Sequence, residues 1–296
     1  MNKLAMKQGD VLLATPAPSS TPPSRPTTEA VLQALITPRR LATSDDDRMA
    51  LSAARPFSVD HAGLDLVAWR WGQETDPTVL LLHGWESRAS HMAAFVAPLL
   101  QAGYGIIALD GPAHGESQGE LTHVVDYGKA VLALADQFGS PAAVIGHSAG
   151  SAASLYAYAH GLRVAASVQL CGPASLSRVV QRTAHLAGLN AEEAYALEQQ
   201  MAMHIGAPLS DVDLSVLQSG FLHPALILHD PEDREMPYEE SRALAAAWPQ
   251  AQLRPVAGTG HRRILRSPAV VDAATGFIVE HGSSKLNMHF SGRQLA

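Results

Sequence analysis

Cysteine is nearly missing from this 296-residue chain. Cys171 is the only one, which leaves no partner for an internal disulfide, fits a reduced compartment, and is expected as a buried thiol. Basic residues are scarce too: 21 Lys+Arg stand against 28 Asp+Glu, the formal net charge is −7, and no basic cluster exceeds pairs such as Arg39-Arg40 and Arg262-Arg263. That balance argues against a nucleic-acid or anionic-membrane partner and favours a small-molecule substrate. No apolar run approaches a membrane span. Lys3 and Lys7 precede only Val11-Leu12-Leu13-Ala14, with Asp10 adjacent, so no secretory core is expected and the location reads as cytoplasmic. Among the 14 histidines no pair has helical metal-ligand spacing, so no metal site is expected.

Apolar residues are plentiful, at 47%, enough for one large domain or one domain with an insertion. Leu64 to Trp71 alternates as a strand does, and Phe57-Ser58-Val59, before the His61-Ala62-Gly63 turn, reads as its hairpin partner. Short apolar runs follow at Thr78 to Leu82, Gly105 to Leu109, Ala142 to Ile145, Val164 to Leu170, Ala225 to Leu228 and Gln252 to Val256. Helical segments are predicted near Arg88 to Gln101, Thr122 to Phe138, Ala149 to His160, Tyr238 to Ala247 and Pro268 to His281. The alternation predicts an α/β fold: a mainly parallel twisted sheet with helices on both faces.

Between Pro173 and Gly220 no strand is evident. Leu176, Val179, Val180 and Leu186 share one helical face, as do Ala194, Leu197, Met201 and Ile205, so a small helical cap is expected after the sixth strand. Asn190 with Glu193 marks a helix start and Gly206 a stop, while Met201 and Met203 read as cap core. The expected organisation is a flexible leader and N-terminal segment over 1–50, a core over 51–172 and 221–281, the cap over 173–220, and a flexible tail over 282–296. The Pro/Ser/Thr-rich stretch from Thr15 to Thr28 marks the leader, and neither end is expected to carry chemistry. Asp45-Asp46-Asp47 reads as a solvated turn or helix start.

Chemistry concentrates in a few loops. Gly146-His147-Ser148-Ala149-Gly150 lies between an apolar run and a small-residue helical stretch, so it reads as a sharp strand-to-helix turn with a serine at its apex. A serine hydroxyl needs a neutral histidine within reach and a carboxylate to orient it. The chain offers both in later loops: His229-Asp230-Pro231-Glu232-Asp233-Arg234-Glu235-Met236-Pro237, then Gly258-Thr259-Gly260-His261. Arg262 and Arg263 follow, positioned for the acid loop, a substrate carboxylate, or the open surface.

These segments, together with Leu81-Leu82-His83-Gly84-Trp85 and Asp110-Gly111-Pro112-Ala113-His114-Gly115-Glu116-Ser117, resemble the α/β-hydrolase fold enzymes over roughly Phe57 to His281. The resemblance implies Ser148 as nucleophile, His261 as base and Asp233 as acid, because the family's acid lies three residues before a Val/Met-Pro pair. Asp230 stands where the family commonly has glycine and is a second candidate acid, with Glu232 a third. The resemblance also implies an oxyanion hole from the backbone N–H groups of Trp85 and Ala149, where losing one donor costs about 2.7–4 kcal/mol. His83 reads as a structural histidine; the Trp85 side chain as lining an acyl pocket or packing beneath the cap. Ala113 and Ser151 replace frequent glycines.

The implied activity is a cofactor-independent serine hydrolase, carboxylesterase-like, acting on a small acyl substrate. Acyl transfer, amide cleavage or carbon–carbon cleavage can use the same three residues, and a non-catalytic ligand-binding member of the fold is the contrasting class. Dehalogenases and epoxide hydrolases share the His83-Gly84-Trp85 pattern but carry aspartate where Ser148 stands.

Overall fold

In the computed structural model, which describes residues 25–282, eight strands form one sheet. They are β1 (Arg55–His61), β2 (Leu64–Trp71), β3 (Thr78–Leu82), β4 (Gly105–Leu109), β5 (Ala143–His147), β6 (Ala166–Leu170), β7 (Ala225–His229) and β8 (Ala251–Pro255). The helices are α1 (Thr28–Ile36), α2 (Asp45–Leu51), α3 (Val96–Gln101), α4 (Val124–Phe138), α5 (Ala149–Ala159), α6 (Leu176–Leu186), α7 (Ala191–Ile205), α8 (Leu214–Leu217), α9 (Tyr238–Ala247), α10 (Gly260–Arg263) and α11 (Pro268–His281). Among the described residues, no helix is long and apolar enough to cross a membrane.

The strand order is β1-β2-β4-β3-β5-β6-β7-β8. β1 and β2 run antiparallel, β2 meets β4 antiparallel, and every later pairing is parallel. A two-residue turn joins β1 to β2, with both Ala62 and Gly63 at positive φ, 52° and 81°, as a right-twisted hairpin requires. The five strands β3 to β7 are almost wholly buried, and their alternating side chains feed two apolar layers. Leu80, Leu82 and Val144 join the layer under α4, α5 and α9; Val79, Leu81 and Ile145 join the one under α3 and α11.

The chain leaves β3 toward one edge of the sheet and returns from β4 to place β5 on the other side. The carboxyl ends of β3 and β5 therefore open a crevice at this switch in winding direction, where open α/β sheets hold their sites. The His83–Glu86 loop and Ser148 stand there.

Several expectations shift on inspection. The single helix predicted over 88–101 divides into a 3₁₀ stretch, Ala89–Phe95, and α3, because Pro98 has no N–H to offer the carbonyl four residues back. α1 and α2 arise in a region with no assigned element. Each is locally encoded: the Thr27 hydroxyl accepts from Ala30 N, while Ser44 and Asp47 form a reciprocal capping box, which resolves the Asp45-Asp46-Asp47 run as a helix start. Asn190 and Glu193 cap α7 in the same way, and Gly206 ends it in the left-handed conformation. Met201 is buried, but Met203 is 73% exposed and Leu186 70%, so neither belongs to the apolar face assigned to it. Both fall on the outward side of their helices. The leader up to residue 24 and the tail beyond Gly282 lie outside the described residues.

Candidate active site

Ser148 joins β5 to α5 with φ 51° and ψ −117°, a backbone state that disfavours any residue with a Cβ. Two glycines make the turn feasible. A Cβ on Gly146 would lie 2.7 Å from Ser151 Cα, and one on Gly150 would lie 2.4 Å from the Leu82 carbonyl oxygen. The turn is tied to the sheet by Ser148 N–H, which donates to Leu170 O at 2.9 Å.

His261 lies in the short α10, beyond β8. Its Nδ1 is 2.7 Å from Asp233 Oδ2, so this nitrogen carries the proton, and its Nε2 accepts from the Ser148 hydroxyl at 3.0 Å. The three residues thus form one connected hydrogen-bonded path. Asp233 is fixed from both sides: Oδ1 accepts from Glu235 N at 2.8 Å and Met236 N at 3.0 Å, while Oδ2 also lies 3.2 Å from His229 Nε2. Burial alone would raise this carboxyl's pKa. The bonds from His229, His261 and Met236 outweigh it and hold the group below the usual carboxylate range.

Asp230 does a different job. It accepts from Gly260 N at 2.6 Å and Glu232 N at 3.0 Å, pinning the loop that carries His261 without reaching the imidazole. Among the two carboxylates, only Asp233 joins the path through His261.

Two further histidines belong to the site, and sequence reasoning missed both. His147 Nε2–H donates to the backbone oxygen of His261 at 2.8 Å, and burial pushes its ring pKa down to about 3, so it stays neutral. His229, fully buried, bonds Ser241 Oγ at 2.7 Å through Nδ1 and directs Nε2–H at Met236 O, 3.1 Å away, and at Asp233. Cys171, His229 and Asp233 have donor atoms within 4.8 Å of one another, the separation of a metal cluster. Their atoms are already engaged: both imidazole nitrogens are bonded, and burial holds the Cys171 thiol protonated.

On the facing loop, His83 is buried and bridges two backbones, Nδ1–H to Gly84 O at 2.7 Å and Nε2 from Gly111 N at 2.9 Å. That is a structural role. Trp85 packs its ring in a T-shaped contact with that of His114, centroids 5.2 Å apart, and lines the space around Ser148. Ala149 is the first residue of α5, where an amide has no acceptor within the helix. Glu86, at φ 50°, is clamped by Arg39 with bonds of 2.8 and 2.6 Å, which hold its carboxyl below the ordinary range.

Ser148 stands between two cavities. One, about 240 Å³, is apolar and walled by Leu35 of α1, Val124, Leu176, Val179, Met201 and Met236. The other, about 370 Å³, is the more polar of the two and includes His261, Glu86, Glu235, Arg262, Arg263 and Arg266 beside Leu41, Trp85 and Leu265. Arg262 is bound to Glu235 on the acid loop at 3.1 Å. The walls from α1 and from Leu41 had no signal in the sequence, because their place over Ser148 is a tertiary fact.

Comparisons with known proteins bear on this geometry. A model of the alpha/beta hydrolase family matches residues 79–274, spanning β3 to α11. A hydrolase of uncharacterised function from Bacillus subtilis, YugF, is 26% identical over 255 residues, 72% of this chain and 92% of that protein. Among solved structures, the Pyrococcus furiosus esterase Pf2001 superposes with TM-score 0.63 at 22% identity, covering 83% of this chain and 99% of the other. Est1E from Butyrivibrio proteoclasticus with ferulic acid bound gives TM-score 0.60 at 18% identity, covering 77% of this chain and 100% of the other.

Proposed function

The chain belongs to the alpha/beta hydrolase family, and from that premise we propose that it is a serine hydrolase cleaving a carboxylic ester through an acyl-enzyme intermediate. The observation that carries the reading is the unbroken path Asp233–His261–Ser148, 2.7 and 3.0 Å long, ending on a serine at positive φ. Ser148 Oγ attacks the carbonyl carbon as its proton passes to His261 Nε2. The tetrahedral oxyanion is met by the backbone N–H groups of Ala149 and Trp85, the former aided by the positive end of α5. The carbon–oxygen bond then breaks, and His261 returns its proton to the departing alcohol. Water, activated by the same imidazole, cleaves the acyl-enzyme and restores the serine. Asp233 keeps the imidazole in the useful tautomer and stabilises its cation.

The two cavities divide the substrate. Because His261 delivers the proton to the leaving oxygen, the alcohol portion leaves on the side His261 lines, which is the polar cavity. The acyl chain then occupies the apolar cavity, whose wall contains Ala149 but not His261. The α6 and α7 insertion acts as the cap over that chain. Replacing Ser148 with Ala abolishes turnover of p-nitrophenyl esters and labelling by a fluorophosphonate; labelling that persists in the variant overturns the assignment.

A further inference from the structure

The polar cavity carries more cationic side chains than its own acids can match. Arg262 is paired with Glu235, and Glu86 with Arg39. Arg263 and Arg266 remain. Arg263 spends one N–H group on Gly258 O at 3.2 Å, and among the described residues neither arginine has a carboxylate within ion-pair distance. Both are exposed and both line the cavity that ends at Ser148 and His261. His91, on the same wall, has its ring pKa lowered by burial, so the neutral ring adds no positive charge and the cavity's cations are the arginines. This concentration stands against a chain whose net charge is −7, so it is local rather than a sample of the whole surface.

We infer that the alcohol portion of the substrate carries an anionic group, a carboxylate or a phosphate monoester, held by Arg263 and Arg266 while the acyl chain fills the apolar cavity. The inference rests on the serine hydrolase reading, and it follows from the direction in which the leaving group departs. A planar guanidinium offers paired donors to either anion. The reaction stays a simple hydrolysis: one carbon–oxygen bond breaks, water supplies the new oxygen to the acid, and the charged alcohol keeps the proton from His261.

Three esters of one acid test it: the hexanoyl esters of 4-hydroxybenzoate, of its neutral methyl ester, and of 4-hydroxyphenyl phosphate. The neutral compound has a better leaving group than the carboxylate, so a preference for charge reports recognition rather than reactivity. The wild-type protein is expected to favour at least one anionic ester over the neutral one by about fivefold to tenfold in kcat/KM, a gain that two exposed ion pairs can supply. The arm that gains more identifies carboxylate or phosphate. In Arg263→Gln/Arg266→Gln the ratio falls toward one, in Arg266→Glu it inverts, and 0.5 M salt erodes it. A wild-type ratio at or below one, or a ratio that survives the double substitution, overturns the inference while neutral-ester turnover leaves the hydrolase reading standing. No turnover of any ester, together with no fluorophosphonate labelling, overturns both.

Discussion

Single residues divide the chemistry of the loop after β7. Asp233→Asn removes the charge and the tautomer control over His261, so kcat for a p-nitrophenyl ester is expected to fall about 10³- to 10⁴-fold. Asp230→Asn only weakens two backbone anchors, and a loss of about tenfold is expected. Equal losses would refute the division of roles. Ser148 holds a left-handed backbone that glycine adopts freely; Ser148→Gly should raise stability in urea by about 1 kcal/mol while removing activity. The loops that bear Ser148 and His261 were legible because glycines punctuate them locally, whereas the acid loop offered Asp230, Glu232 and Asp233 together and only the family resemblance put Asp233 first. His147 and His229 were not legible, since one reads as a flank of the serine turn and the other as the first residue of the acid loop, and nothing near either says that the ring of His147 reaches a carbonyl 114 positions away or that His229 meets the carboxylate of Asp233.

Whole elements were legible where burial is uniform. β3, β4, β5 and β7 appear as short apolar runs because both faces are covered, β6 carries buried Ser167 and Gln169 among its apolar residues, and α9 and α11 begin and end at the expected residues. α1 and α2 escaped because the composition before them is dominated by Pro, Ser and Thr, while their caps are single side chains. The packing between elements sets two further outcomes. Gly150→Ala would drive a Cβ into the Leu82 and His83 carbonyls at the crossing of α5 and β3, at a cost of about 3 kcal/mol or more, read from the urea midpoint. Val179, on the wall that α6 gives the apolar cavity, is the better lever on specificity. Val179→Phe should shift the best substrate in a p-nitrophenyl ester series toward shorter acyl chains, and an unchanged profile would remove the acyl chain from that cavity.

Across the molecule, buried imidazoles tie stability to pH. Burial lowers His147 to about 3 and His223 to about 4 from 6.5, and His83 well below its usual value. Unfolding exposes these rings, which then bind protons below about pH 6.5 that the native state refuses. Stability therefore declines as pH falls through that window, by up to about 1.4 kcal/mol per pH unit for each histidine, and is level above it. Urea unfolding between pH 7.5 and 5 checks the slope, and a flat profile refutes it. The fold was readable from sequence because it follows from element order; the walls around Ser148 were not, because they come from separated stretches. Leu35, Val124, Val179, Met201 and Met236 meet around one space, and Arg25 of the N-terminal segment reaches across to Glu193 of α7. A chimera that grafts residues 173–220 onto a related scaffold would thus carry only part of the enclosure, and donor selectivity should transfer only when the segment bearing α1 travels with it.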